Sequence, residues 1–153
     1  MNPPIVPATA ADVGEILTLQ RACWVQEALA NRTLDIPALY ESVDDVSESL
    51  TQWETFVMRD GGRLVGSVRG RRTGGEYEVG RLMVAPDLQG LGLGRRLLEH
   101  ILQVAPAGMP FVLSTGALSV DNQRMYRAAG FEIAGPQDHG EGVVRMRRGP
   151  VIS

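Results

Sequence analysis

The sequence predicts a single α/β domain, residues 1–153, in which a mixed sheet carries helices on both faces. Three observations point there. Two segments with helical periodicity come first, then strand-like segments joined by tight turns. After them, strands and helices alternate, as crossover connections between neighbouring strands require. Finally, three glycines stand between a strand and a helix, at Gly90, Gly92 and Gly94.

Ile5-Val6 reads as a short first strand. Thr9 or Asp12 then suits a helix start, and Val13, Ile16, Leu17, Leu19, Ala22, Cys23 and Val25 give apolar positions for a helix near 10–30. A second helix is expected over about 42–53, because Val43, Val46, Leu50 and Trp53 recur every three or four residues. Asp44, Asp45 and Glu48 near its start complement the positive end of the helix dipole. The period then changes. Thr55 to Arg59 and Leu64 to Arg69 flank Asp60-Gly61-Gly62, a hairpin signal, and Thr73-Gly74-Gly75 turns the chain into a strand from Tyr77 to Val84. From Gly94 a helix presents Leu97, Leu98, Ile101, Leu102 and Ala105 on one face until Pro106 stops it. Phe111 to Ser114 is a short apolar strand of the buried kind. Asn122 to Ala129 is a helix, with Asp121 near its cap and Gly130 at its stop. Phe131 to Ala134 and Val143 to Met146 complete the sheet.

Composition narrows the function. With 44% hydrophobic and 22% charged residues the chain is globular, and no apolar run approaches the roughly 18 residues of a membrane span. The first residues, Met1-Asn2-Pro3-Pro4, do not resemble a signal peptide, so the expected compartment is the cytoplasm. The single cysteine, Cys23, forms no internal disulfide, and no Cys/His cluster offers a metal site. A formal charge of −3 argues against a nucleic-acid partner. Every basic residue is arginine, which excludes both a P-loop lysine and a Schiff-base lysine.

The glycine loop is the feature with chemistry in it. Amides at a helix start lack intrahelical partners, and glycines let a pyrophosphate approach them. Arg95 and Arg96, in the first turn, can reach further phosphate oxygens. The dinucleotide pattern Gly-x-Gly-x-x-Gly fails, because Arg95 stands where its last glycine belongs and the loop follows a meander.

The stretch from Leu82 to Leu98 resembles the cofactor motif of the GNAT superfamily, the acyl-CoA-dependent N-acyltransferases. That family's Arg/Gln-x-x-Gly-x-Gly/Ala is met by Gln89, Gly92 and Gly94. Downstream, Asn122-Gln123-Arg124-Met125-Tyr126-Arg127-Ala128-Ala129-Gly130-Phe131 is similar to the family's Asn-x-x-x-Tyr-x-x-x-Gly-Phe segment. The resemblance implies a mostly antiparallel sheet of six to seven strands, splayed in the middle, with about four helices. It also implies acetyl-CoA as co-substrate, no metal, an amine acceptor and, as is common in the family, a homodimer.

By that resemblance, Gln89, Gly90, Leu91, Gly92, Leu93, Gly94, Arg95 and Arg96 hold the pyrophosphate. Backbone groups of Leu82, Met83 and Val84 pair with the pantetheine arm as an added strand would. The reaction implied is attack of a neutral amine on the thioester through a tetrahedral oxyanion. Val84 N–H is the expected oxyanion donor, and Tyr126 the expected acid for the leaving thiolate, since a phenol of pKa ~10 stays protonated at neutral pH. Tyr126 also reads as an aromatic packed between helix and sheet. Asn122, four residues earlier on the same helix face, reads equally as a contact to the cofactor arm or as a helix cap.

Glu78 is the candidate base. At even spacing it shares a side of its strand with Gly80, Leu82 and Val84, and some family histone acetyltransferases carry a glutamate at that place. A bulge would shift that parity and bring in Glu76; a solvated carboxylate and proton loss to water are the alternatives. Ser114, Thr115, Trp24, Tyr40 and Trp53 are weaker candidates for the substrate region, and Glu27, Glu41, Asp44 and Asp45 either attract a cationic amine or are simply solvated, while His100 is expected to be exposed and His139 lies in a loop. Acylation with another donor, an O-acceptor, or a non-catalytic acyl-CoA sensor are the competing functions.

Overall fold

The computed structural model describes residues 2–134 and 142–150. Seven strands form one sheet in the order β1-β2-β3-β4-β5-β7-β6. The strands are β1 (Ile5–Pro7), β2 (Glu54–Asp60), β3 (Arg63–Thr73), β4 (Glu76–Val84), β5 (Phe111–Gly116), β6 (Glu132–Ile133) and β7 (Val143–Arg148). Four helices accompany them: α1 (Val13–Asn31), α2 (Val43–Gln52), α3 (Leu93–Val104) and α4 (Val120–Ala128). All neighbouring strands are antiparallel except β4 and β5, which α3 connects as a parallel crossover. The expected element order is therefore found, with most boundaries displaced by a residue or two; β3 runs four residues further than expected, to Thr73, and α1 starts at Val13 after a 3₁₀ turn.

Two hairpins build the first half of the sheet. Gly61 (φ +62°) turns β2 into β3, and Gly74 (φ +63°) turns β3 into β4, as their positions between strand-like segments predicted. Gly70 has a different purpose. A β-carbon there would lie 2.3 Å from the Tyr77 ring, so the missing side chain is what lets Tyr77 cross β3 into the core. Burial pushes the Tyr77 hydroxyl up to about 12, with Glu54 adding to the effect.

α1 and α3 pack on opposite faces of β3 and β4. A β-carbon on Gly66 would touch Leu97 of α3, whereas the next β3 side chains, Ser67 and Arg69, line a small cavity with Ile16, Gln20 and Val46 of α1 and α2. α3 buries Leu93, Leu97, Leu98, Ile101 and Leu102 against the sheet. His100 departs from its expectation. It is half-buried, with its ring 4.6 Å from Phe56 in an edge-on contact. His139 lies outside the described residues. Ahead of α1, a 3₁₀ turn at Ala10–Asp12 is closed by Thr9 N–H donating to the Asp12 carboxylate at 2.8 Å. α2 starts at a capping box in which Ser42 and Asp45 exchange hydrogen bonds of 2.8 and 3.1 Å.

Candidate functional site

Parallel strands β4 and β5 begin as partners and then part. Tyr77 pairs with Phe111 and Glu78 with Val112, but beyond them the strands diverge. The gap is a cleft of about 830 Å³, lined by Val79 to Val84 on one side and Leu113 to Gly116 on the other. α1 covers it with Cys23, Trp24 and Glu27; the glycine loop and Tyr126 of α4 also line it.

Beside the gap, β4 carries a bulge. Arg69 pairs with Gly80 but Ser67 with Met83, so two β4 residues, Arg81 and Leu82, stand opposite Val68. Arg81 takes up the extra length with φ 48°, a left-handed conformation that a side chain disfavours. The bulge breaks the even spacing that placed Glu78 with Val84. Glu78 and Gly80 face the α1/α2 side, opposite Ser67-to-Arg71 partners, whereas Val84 faces α3. Glu78 does not line the cleft; its carboxylate accepts from Arg71 Nε at 3.1 Å. Glu76 shares Glu78's parity and pairs with Arg147 at 2.6 Å.

The unpaired edge of β4 offers backbone groups to the gap. Ala85 N–H donates to Val65 C=O at 2.8 Å, so Val84, one residue earlier, turns its own amide and carbonyl away from β3. Its carbonyl is taken by the Cys23 thiol at 3.2 Å and the Gln89 side-chain amide at 3.1 Å. Burial pushes the Cys23 thiol up to about 11, leaving it a protonated donor rather than a nucleophile.

At the near end, Gly90 (φ +82°) and Gly92 (φ +83°) coil the chain into α3, and a β-carbon at either would meet nothing within 4 Å. Open space therefore lies in front of the helix start. Gly92 caps α3 without a side-chain hydrogen bond, and the first intrahelical bond of the turn is Arg96 N–H to Gly92 C=O at 3.2 Å. The amides of Leu93, Gly94 and Arg95 are thus the free donors that an anion would find. Of the residues expected to hold a pyrophosphate, Gln89, Gly90, Gly92, Leu93, Gly94 and Arg95 line the cleft, and so do Leu82, Met83 and Val84. Leu91 and Arg96 do not: Leu91 points to solvent, and Arg96 lies half-buried beside the helix.

Asn122 and Tyr126 both reach the cleft from one face of α4. Ser119, not Asn122, occupies the cap position of α4. Asn122 instead donates to Glu27 of α1 at 2.8 Å, and Ser119 donates to the other Glu27 oxygen. Asn31 binds both Ser119 and the Leu118 amide at 2.9 Å. Glu27 thus ties α1 to the start of α4, across 95 residues of sequence. Helical periodicity could not single it out, since its partners become neighbours only through the fold. Tyr126 is only 8% exposed and packs edge-on against Phe131, yet among the described residues no group hydrogen-bonds its hydroxyl. Burial, and then the charge of Glu27, hold its pKa well above the ordinary phenol range. The other weaker candidates divide: Ser114, Thr115 and Trp24 line the cleft, Trp53 closes α2, and Tyr40 lies exposed between the two helices rather than on either.

Comparison with known proteins fits this geometry. The sequence model of the acetyltransferase (GNAT) domain matches residues 51–133. N-alpha-acetyltransferase RimI of Mycobacterium tuberculosis is 39% identical over 84 residues, which cover 50% of this chain and 51% of that protein. The chain thus spans about half the length of this curated relative. The crystal structure of PaiA N-acetyltransferase from Thermoplasma acidophilum, in complex with coenzyme A, superposes with a TM-score of 0.81. It shares 13% identity, over 97% of this chain and 99% of that one. YncA of Salmonella typhimurium, a structure with acetyl-CoA, gives a TM-score of 0.74 at 18% identity, over 97% and 94% of the two chains. The splayed sheet, the glycine-led helix and the matched domain agree: the chain belongs to the GNAT family of acetyltransferases.

Proposed function

We propose that the protein transfers an acetyl group from acetyl-CoA to a primary amine. The observation that carries this reading is one continuous cleft. It starts at free amides of α3, runs along the unpaired edge of β4, and reaches Tyr126, whose hydroxyl has no hydrogen-bond partner among the described residues. The donor's pyrophosphate would rest on the Leu93, Gly94 and Arg95 amides, with the Arg95 guanidinium beside it. Its amide-bearing arm would pair with β4 around Leu82 to Val84. Val84 N–H is the donor for the charge that develops on the thioester oxygen. Asn122, which donates to Glu27 and lines the cleft, would meet the arm.

The amine nitrogen bonds to the acetyl carbon, the carbon–sulfur bond breaks, and Tyr126 gives its proton to the departing thiolate. Burial keeps Tyr126 protonated but makes it a weaker acid, so its role rests on its place in the cleft. The amine's own proton passes to solvent, because Glu78 is turned away from the cleft and engaged by Arg71.

The test is thiol release from acetyl-CoA across a panel of amines. Release that depends on the amine is expected, and Tyr126→Phe should lower kcat by roughly 10²–10⁴ with acetyl-CoA affinity little changed. An unchanged kcat in Tyr126→Phe would reduce Tyr126 to a packing residue.

A further inference from the structure

Where the cleft leaves β4 on the α1/α2 side, three guanidinium groups stand close together. Arg69 and Arg71 are two residues apart on β3 and share a face, with their guanidinium carbons 4.1 and 4.0 Å from the Trp53 ring centre. Arg81, at the bulge, lies across from them with its guanidinium 5.4 Å from the Trp24 ring. It lines both the main cleft and the small cavity that Arg69 also lines.

Two of the three have carboxylate partners. Arg71 pairs with Glu78 at 3.1 Å, and Arg81 with Glu41 at 3.3 Å, Glu41 being held in turn by Gln20 at 2.7 Å. Arg69 has no ion pair among the described residues. Its Nε is buried and hydrogen-bonds to no described protein group, and the same is true of the Arg81 Nε. Burial, and then the charge of Arg81, push the Arg69 guanidinium down to about 10. A desolvated cation with an unsatisfied donor is costly, and Arg69, which does not line the cleft itself, stands behind two residues that do, Gly80 and Arg81, where an anion reaching that end would relieve it. Gly80 marks the junction: it lines the cleft, and a β-carbon there would stand 3.7 Å from Arg69 Nε.

We propose that Arg69 and Arg81 form an anion subsite at the end of the cleft away from the glycine loop, and that the acetyl acceptor is a small amine that also bears a carboxylate. The inference rests on the acetyl-transfer reading above and adds the chemical class of its acceptor. The planar guanidinium fork matches a carboxylate, and charges of three arginines against Glu41 and Glu78 leave one positive charge for it to neutralise. A free amino acid or a related aminocarboxylate has its amine a few bonds from such a group. The N-terminal amine of a protein chain does not.

Two measurements test this. In thiol-release assays, aminocarboxylates are compared with their carboxamides and with the matching aminophosphonates. The acid should exceed its amide in kcat/KM by roughly 100-fold or more, because the amide leaves the guanidinium unpaired. Arg69→Gln should remove that preference while keeping the acetyl-CoA-induced rise in Tm that shows a folded donor site, and Arg69→Lys should restore part of it. Phosphonates faster than carboxylates, equal rates for acid and amide, or an unaffected preference in Arg69→Gln would each overturn the proposal. Independently of turnover, protein saturated with coenzyme A is titrated with N-acetyl amino acids and their amides while the Arg69 Nε–H resonance is followed by ¹⁵N NMR. A saturable shift with the acids alone is expected, and no shift with any acid would overturn the subsite. Failure of the acetyl-transfer reading looks different: no acetyl-CoA-induced Tm change and no amine-dependent thiol release, whatever Arg69 does.

Discussion

Left-handed backbone conformations shape the cleft at Arg81, Gly90 and Gly92. Arg81 sits at φ 48° in the β4 bulge, and Gly92 at φ +83° ahead of α3. Gly92 meets nothing within 4 Å, so a methyl group there has room but the wrong backbone. Gly92→Ala should cost roughly 1–2 kcal/mol of stability for the left-handed residue. It should also weaken acetyl-CoA, because the loop would relax away from the geometry that exposes the α3 amides. Chemical denaturation with and without acetyl-CoA separates the two effects; unchanged binding would mean that the loop's conformation is not what presents those amides. The residue scale is also where the sequence was least legible. Glu27, Arg69 and Arg81 owe their meaning to partners distant in sequence, and the bulge that turns Glu78 away leaves no mark in the pattern of β4. Gln89, Gly94, Asn122 and Tyr126, which all line the cleft, were marked by resemblance to family motifs whose spacing lies within one loop and one helix.

At the scale of elements, the hairpins, α3 and α4 followed from turn residues and periodicity, and the structure kept their order. The splay between β4 and β5 did not follow from residues alone. Strand pairing is a relation between segments, and the resemblance to a family, not the local pattern, supplied it. The entry to α1 shows how an element is fixed in place from outside. Arg59 of β2 donates to Asp12 at 2.6 Å and to Glu15 at 2.7 Å. Arg59's hydrogen bonds hold the Glu15 carboxyl below its usual range, and at Asp12 the bonds from Arg59 and Thr9 outweigh burial, which works the other way. Both folded-state pKa values are depressed, so their stabilisation is present above the unfolded values near 4 and is lost as pH falls through the folded ones. Arg59→Met should therefore lower Tm at neutral pH, with the gap to wild type closing below about pH 4 as both carboxyls protonate. A gap that stays constant down to pH 2 would assign the effect to lost packing of the arginine stem.

For the whole molecule, the sheet is a frame that opens in its middle. Antiparallel neighbours fix the strands on either side, while α1, α3 and α4 converge on the β4–β5 gap and close its walls. In the proposed reading the donor enters at the glycine loop, and the acceptor meets the gap at Gly80 and Arg81, with Arg69 behind them. If the gap takes acetyl-CoA, it does so in the native state. Ligands selective for the folded chain raise its stability by mass action, about 2.7 kcal/mol at a hundredfold excess over Kd. For a domain of this length that corresponds to roughly 5–10 °C in Tm. Thermal unfolding against acetyl-CoA concentration should show Tm climbing by that amount and continuing with the logarithm of concentration. A Tm that does not move at millimolar acetyl-CoA would mean that the gap does not bind it.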